Sequence, residues 1–191
     1  MTENESATPI AKRRRASWPR EVLETALLTL AIFLVVRVAL QNFRVEGTSM
    51  VPNLHNGEYI LVNKLGYRFR SPSRGDVIVF NAVPAGEPGK DFIKRIVGLP
   101  GDLVQVTSKT VYINHRPLRE RYIGPLYRAT YAFGPLRVPR NSYFVLGDNR
   151  NNSFDSSRWP VSWLPRNDII GEAWISYWPL RDLSFFQTPS F

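Results

Sequence analysis

One apolar run near the N-terminus constrains this chain more than any other feature. Residues 22–40 read VLETALLTLAIFLVVRVAL, and as a helix they extend about 28 Å at about 1.5 Å per residue. That length is close to the ~30 Å of bilayer hydrocarbon, which favours a membrane-spanning helix over the alternative of a buried core helix. Glu24 and Arg37 lie near the two ends of the run, where long side chains can reach the interface. We therefore expect an anchor over residues 21–40.

A basic stretch precedes this anchor. Residues 1–20 carry two carboxylates against five cations, namely Lys12, Arg13, Arg14, Arg15 and Arg20. By the positive-inside rule, such a cluster holds residues 1–20 in the cytoplasm as a tail and places the later residues across the membrane. The alternative, a cleavable signal peptide, is disfavoured because no A-x-A arrangement of small residues occurs around residues 37–41.

The composition excludes several chemistries. The chain has no cysteine and only two histidines, so it has no thiol nucleophile, and a metal site is not expected. No cofactor is expected either. The net charge of +9 could suggest a nucleic-acid partner. However, part of that charge precedes the anchor, where it is better explained as a topology signal.

Beyond the anchor, the periodicity changes from helical to extended. Short segments rich in β-branched and aromatic residues alternate with Gly, Pro, Asn and Asp, at residues 59–62, 76–80, 92–97, 103–106, 110–113, 143–146 and 173–178. We interpret residues 41–191 as an all-β domain of antiparallel strands. A small β insert is expected around residues 103–141, with a hairpin turn at Asn114 and His115 and a loop or small cap from residue 116 onward.

Lys94 is a candidate general base because of its strand neighbours. Alternation places it on one face with Phe92 and Ile96, where it loses hydration. A free lysine has a pKa near 10.4, and half-neutrality near pH 7 would take a shift of roughly 3 units, which burial can produce. The bare pattern also fits a surface lysine whose stem covers the strand.

Ser49 is a candidate nucleophile, although the segment around it could equally be an ordinary turn. A serine hydroxyl needs a base, and a lysine can serve only when its amine is neutral. A triad with His55 or His115 is the alternative, but the pattern places both histidines in turns.

Four segments now point to a family. Residues 47–54, 74–80, 91–102 and 147–156 resemble, in order and form, the four conserved boxes of type I signal peptidases. With one anchor and a short insert, the chain looks most similar to Gram-positive, cyanobacterial or thylakoid members. The resemblance implies a membrane-bound serine endopeptidase that uses a Ser/Lys dyad to remove signal peptides from exported preproteins. It also implies a plasma or thylakoid membrane, with the catalytic domain on the trans side.

The resemblance also assigns roles to residues. It makes Ser49 the nucleophile and Lys94 its general base, with Ser153 as the serine that hydrogen-bonds the lysine. Asp155 matches a supporting carboxylate. Arg95 and Asp148 match a structural ion pair. The positions that match the two shallow pockets for small residues at −1 and −3 are Phe43, Val45, Leu54, Ile60, Val79 and Ile93. Strand addition would give main-chain affinity, and the pockets would give selectivity.

Two positions depart from the family pattern. Some relatives carry a serine two positions before the nucleophile as an oxyanion donor, and here that position is Gly47. Thr48, a backbone amide or water would then have to supply the second donor. The last box often reads Asp-Ser-Arg, whereas here Arg158 is displaced by one residue, so we assign no salt bridge between Asp155 and Arg158.

Met50, the tryptophans and the terminal phenylalanines suggest an apolar surface beside Ser49 that rests on lipid headgroups; the alternative is that they form core.

Other functional classes also stay open. A Ser/Lys self-cleaving repressor would need a DNA-binding helical domain, a non-catalytic anchored β module would not need Ser49 or Lys94, and a nucleic-acid binder would lose affinity steeply with salt.

Overall fold

The computed structural model describes residues 18–186, 188 and 189. The predicted basic positions from Lys12 to Arg15, and Phe191 among the predicted lipid-facing aromatics, lie outside the described residues. The chain divides into two compact units, residues 1–36 and residues 37–191.

Helix α1 covers Trp18–Ala39. Its 22 residues are about 33 Å long at about 1.5 Å per residue, and their mean hydropathy is 2.2. None of its side chains is buried. The helix begins before the predicted residue 21. Pro19 is compatible with the first helical turn, because N–H groups there have no acceptor within the helix and proline has no N–H. By length and composition, α1 could cross a membrane.

Twelve strands follow among the residues that the structure describes. They are β1 (Leu40–Arg44), β2 (Tyr59–Asn63), β3 (Val77–Asn81), β4 (Asp91–Gly98), β5 (Leu103–Thr107), β6 (Thr110–Ile113), β7 (Arg116–Pro117), β8 (Phe133–Arg137), β9 (Ser142–Leu146), β10 (Leu164–Pro165), β11 (Ile169–Trp178) and β12 (Ser184–Phe185). A one-turn helix, α2 (Gly66–Phe69), links β2 to β3. All predicted strand segments are confirmed, with ends that agree to within four residues.

The strands form two antiparallel sheets. The larger sheet has the order β1-β2-β11-β3-β4-β9-β10, with β12 also paired to β11. The smaller sheet has the order β7-β6-β5-β8 and covers residues 103–137. The predicted all-β antiparallel class with an N-terminal apolar helix is confirmed. The predicted turn is also present, because Asn114 and His115 have φ values of 51° and 66° between β6 and β7.

Two strands lie where the pattern predicted something else. Leu40, expected to end the anchor, begins β1, which pairs along its whole length with β2. Strand β8 lies in the stretch expected to be loop or cap, and Leu103 of β5 pairs with Arg137. Both strands have weak intrinsic β-propensity, so long-range pairing rather than local sequence decides their conformation.

The core beneath the larger sheet is what positions the site. One buried cluster joins the end of β1 to β2 and β3 and includes Val45, Ile60 and Val79. Met50 and Leu54 also belong to this cluster, with exposed fractions of 1% and 0%. Met50 is therefore a core residue and not part of a lipid-facing surface. Its burial fixes the loop that carries Ser49 to the sheet.

Candidate active site

The Ser49 loop leaves β1 and turns back over the sheet. Gly47 has a φ of +84°, in the left-handed region that favours glycine, and its N–H donates to Asn56 Oδ1 at 2.9 Å. After it, Leu54 N–H donates to the carbonyl of Met50 at 3.0 Å. The loop is therefore closed on itself and held by Met50 in the core, with Ser49 half-buried at its apex.

Lys94 lies in β4, opposite Ile78 of β3, and it is buried with an exposed fraction of 5%. Its Nζ is 2.8 Å from Ser49 Oγ and donates to the carbonyl of Ile93 at 2.8 Å. Burial lowers the pKa of Lys94 to about 8, against the opposing attraction of the carboxylates of Asp155 and Asp148. A base and a hydroxyl thus lie within hydrogen-bond distance, and the amine is biased toward its neutral form.

The segment after β9 holds the Ser49 loop from the other side. Asn149 donates its N–H to the carbonyl of Ser49 at 2.9 Å and its Nδ2 to the carbonyl of Thr48 at 3.2 Å. Asn152 Nδ2 donates to Thr48 Oγ1 at 2.7 Å. Gly147 is the point of closest approach, since a Cβ there would lie 2.5 Å from the Ser49 carbonyl oxygen. Glycine is required at that position because the two segments pack backbone to backbone.

Asp155 is fully buried and supports this segment. Its Oδ2 accepts the Gly147 N–H at 3.0 Å, and its Oδ1 accepts the Ser157 hydroxyl at 2.7 Å. It makes no ion pair with Arg158, whose guanidinium donates to the carbonyl of Asn151. The Asp155 carboxylate therefore stabilises the segment that holds the Ser49 loop. Its negative charge also raises the pKa of Lys94, against the effect of burial.

Ser153 is also buried, but its Oγ has no hydrogen-bond partner in the structure. The hydrogen bond to Lys94 that the resemblance implies is not formed in this conformation, because the Lys94 amine contacts Ser49 and the Ile93 carbonyl instead. The hydroxyl packs against Gly147, next to the carbonyl of Ser49. A buried hydroxyl without a hydrogen bond lowers the stability of the fold, so a conformation in which Ser153 Oγ gains a partner would be favoured.

Arg95 and Asp148 form a buried, doubly hydrogen-bonded ion pair. Arg95 Nε and Nη2 lie 2.8 and 2.7 Å from the two carboxylate oxygens of Asp148. Arg95 Nη1 also donates to the Gly75 carbonyl, and Asn53 Nδ2 donates to Asp148 Oδ2. The pair therefore joins β4 to the segment after β9 and to the Ser49 loop. Such bidentate geometry is the strong form of this interaction.

A second buried ion pair lies in the same region and was not expected from the sequence. Arg150 Nη1 donates to Glu120 Oε2 at 3.0 Å, Nη2 also contacts Glu120, and both side chains are about 2% exposed. Glu120 belongs to the stretch interpreted as a variable loop or cap. Nothing in its local pattern distinguishes it from a surface glutamate, because its partner is 30 residues away.

An open groove of about 490 Å³ runs past Ser49 and Lys94. Five of the six predicted pocket residues line it, namely Phe43, Val45, Ile60, Val79 and Ile93. Leu54 does not, because it packs entirely within the core below the Ser49 loop. Asn152 and Phe154 also line the groove. Both lie in the fourth matched segment, but only the fold shows that they face Ser49.

The two histidines lie apart from this arrangement. The Nδ1 of His55 is 3.0 Å from Glu58 Oε1, and His115 is exposed in the turn after β6. In the described part of the chain, the base hydrogen-bonded to Ser49 Oγ is Lys94.

Comparison with known proteins identifies the family. Residues 19–178 match the family described as "Signal peptidase, peptidase S26". The chain belongs to this family. Signal peptidase I of Leptolyngbya laminosa is 40% identical over 96% of this chain and 92% of its own length. A probable signal peptidase I-2 of Synechocystis sp. is 36% identical over 94% of this chain and 84% of its own length. Signal peptidase I of Bacillus caldolyticus is 34% identical over 91% of this chain and 96% of its own length.

A crystal structure of a signal peptidase I from Enterococcus faecalis is 32% identical and covers 54% of this chain and 97% of that chain, with a TM-score of 0.44. Family membership makes the chain a hydrolase of the serine endopeptidase class that acts in signal-peptide processing. It decides against the self-cleaving repressor, the non-catalytic β module and the nucleic-acid binder.

Proposed function

We propose that this chain cleaves signal peptides with Ser49 as nucleophile and Lys94 as general base. The observation that carries the proposal is the 2.8 Å contact between Ser49 Oγ and a buried Lys94 Nζ. A neutral amine at that distance can accept the hydroxyl proton as Oγ attacks the scissile carbonyl. The resulting ammonium returns the proton to the leaving amine, and an acyl-enzyme on Ser49 remains.

Deacylation uses the same pair. Lys94, neutral again, takes a proton from a water that attacks the ester carbonyl, and the ammonium then protonates Ser49 Oγ as the acid leaves. The Ser49 N–H supplies one oxyanion donor. For the second donor, we favour the Thr48 hydroxyl, since its oxygen accepts from Asn152 and its own proton stays available.

Ser153 and Asp155 act as supporting residues in this proposal. Ser153 Oγ is buried next to Gly147 and has no hydrogen-bond partner, and we assign it the role of accepting from the Lys94 ammonium. The resemblance to the family supports this role. Asp155 accepts the Gly147 N–H and so holds that segment in place. Its negative charge raises the pKa of Lys94, which keeps the amine basic enough to take a proton.

The groove supports cleavage after small residues. Its floor consists of side chains that are nearly buried, among them Val45, Ile60 and Val79. A substrate strand added along this groove would place its residues at −1 and −3 over shallow apolar surface with room for small side chains. We expect a preference for small residues at both positions.

We also propose a topology. α1 spans a plasma or thylakoid membrane, residues 1–20 lie in the cytoplasm, and residues 41–191 form the catalytic domain on the trans side. Three aromatic side chains on β11 and β12, Trp174, Trp178 and Phe185, are 45%, 53% and 70% exposed. They support contact between the domain and the lipid surface, without Met50.

The test is incubation of the detergent-solubilised full chain with a preprotein, followed by mass spectrometry of the new N-terminus. We expect Ser49→Ala and Lys94→Ala each to lower the rate by at least about 10³-fold, as loss of a nucleophile or its base does. Ser108→Ala and Lys90→Ala, at exposed positions, are matched controls that should cleave normally. Normal processing by the Lys94→Ala chain would disprove the assigned base.

A further inference from the structure

A basic pocket lies away from the groove, between β2, α2 and the turn before β11. It has a volume of about 630 Å³, and three cations line it, Lys64, Arg68 and Arg166. Its other lining residues are Gln41, Tyr67, Pro72, Asn167, Ile169 and Ile170. No acidic side chain lines this pocket, so it is a concave surface of positive potential that favours an anionic ligand.

The three cations are not neutralised within the described residues. In the described part of the chain none of them forms an ion pair with a carboxylate, not even with Asp168, which lies two residues beyond Arg166. Asp76 and Glu172 both bind Arg70 instead. Arg166 is nonetheless held in place, since its Nη2 donates to the Tyr67 carbonyl at 2.9 Å. A fixed cation without a counter-ion suits recognition of an anion better than it suits folding stability.

The same short helix carries an exposed aromatic side chain. Phe69 is 87% exposed at the end of α2. Its neighbours are firmly anchored, because the Tyr67 hydroxyl donates to Asp76 at 2.9 Å and Arg70 pairs with Asp76 at 2.8 Å. Phe69 therefore projects from a rigid turn. An apolar ring beside basic residues is typical of segments that insert at a membrane interface.

The pocket lies close to Ala39, the last residue of α1. Gln41 lies two residues beyond Ala39, the last residue of α1, which limits its reach to about 7 Å. The Lys64 N–H donates to the Ala39 carbonyl at 2.8 Å. If α1 spans the membrane, the end of α1 and the pocket wall must both lie among the headgroups.

We propose that this pocket binds the headgroup of an anionic glycerolipid, with Lys64, Arg68 and Arg166 around the negative group and Phe69 in the acyl region. This site rests on the proposed anchoring by α1 but not on the Ser49 chemistry. Lipid binding in this pocket would fix the orientation of the domain about the membrane normal.

The test uses the full chain in neutral detergent with equal phosphatidylglycerol and phosphatidylcholine, and native mass spectrometry to count retained lipids. The wild-type chain should retain phosphatidylglycerol preferentially. The Lys64→Gln/Arg68→Gln variant should bind it roughly 25-fold more weakly, since each basic residue near an anionic surface contributes about fivefold. The control, Arg116→Gln/Arg119→Gln, removes two exposed charges of the insert and should behave as wild type.

Equal retention by both variants, or equal retention of both lipids by the wild-type chain, would overturn the site. Phe69→Ser, at an exposed position, should also weaken lipid retention. Inorganic phosphate is titrated separately, and binding as tight as that of the lipid would show a site for a soluble anion instead. Preprotein cleavage is measured on the same samples, and resistance to alkaline extraction is measured on membranes that contain the same variants. Failure of the lipid site is thereby distinguished from failure of catalysis or of anchoring.

Discussion

At the scale of single residues, the burial that suits Lys94 to its proposed role as base lowers the stability of the fold. Its pKa is lowered from 10.5 to about 8 because burial disfavours the ammonium. Between those two pH values the unfolded chain binds a proton that the folded chain has released, so stability rises with pH across this window. Lys94 therefore costs stability at neutral pH, of the order of 3 kcal/mol for such a shift. In the proposed mechanism, the same burial makes the amine of Lys94 a usable base.

The pH dependence of cleavage follows from the same value. With Lys94 as base, kcat/KM for a short soluble peptide should rise about tenfold per pH unit below pH 8 and level off about one unit above it. The measurement is a series of initial rates, with the melting temperature followed at each pH. A profile that is flat from pH 6 to 9 would contradict a neutral Lys94 as the active form.

At the scale of elements, the segment after β9 and the insert act together. Residues 147–156 hold the Ser49 loop through Asn149 and Asn152, and the insert supports that segment through Glu120 and Arg150. The loop between β7 and β8, which carries Glu120, is thus part of the support of the site.

Glu120→Gln should test this support. The substitution leaves the Arg150 guanidinium buried without its counter-charge, and we expect a loss of about 3–5 kcal/mol in the free energy of unfolding. Chemical denaturation of the full chain in detergent measures it. Glu87→Gln is the matched control, because its pair with Lys90 is largely exposed and should contribute less than about 1 kcal/mol. Equal effects of both substitutions would show that the insert does not support the site.

At the scale of the whole molecule, the two units have separate tasks. All three buried clusters lie within residues 37–191, whereas α1 buries none of its side chains. Residues 37–191 therefore contain the core that the domain needs to fold, whereas the proposed membrane span of α1 would cover the apolar surface of the helix.

A chain that begins at Arg37 should separate these tasks. It should cleave a short soluble peptide within a few-fold of the full chain, but process a membrane-inserted preprotein at least about tenfold more slowly, because tethering raises the local concentration of enzyme and substrate. Parallel assays with the full chain in liposomes provide the reference. Equal loss on both substrates would mean that residues 1–36 are needed for folding.

Much of this organisation was predictable because it depends on local patterns. Length and hydropathy identify α1, alternation identifies most strands, and Gly and Pro mark the turns between them. The motifs around Ser49 and Lys94 indicate the family. Alternation placed Lys94 on one face with Phe92 and Ile96, but that pattern also fitted a surface lysine, and the burial of Lys94 was decided by the packed sheet.

Other properties were decided only by tertiary structure. The 2.8 Å contact of Ser49 with Lys94, the burial of Leu54 in the core and the pairing of Glu120 with Arg150 all depend on the order of strands in the sheets. That order reflects the sum of many weak contacts between residues distant in the chain. A local pattern specifies which face a side chain occupies within its own strand, and the packed sheets specify what that side chain meets.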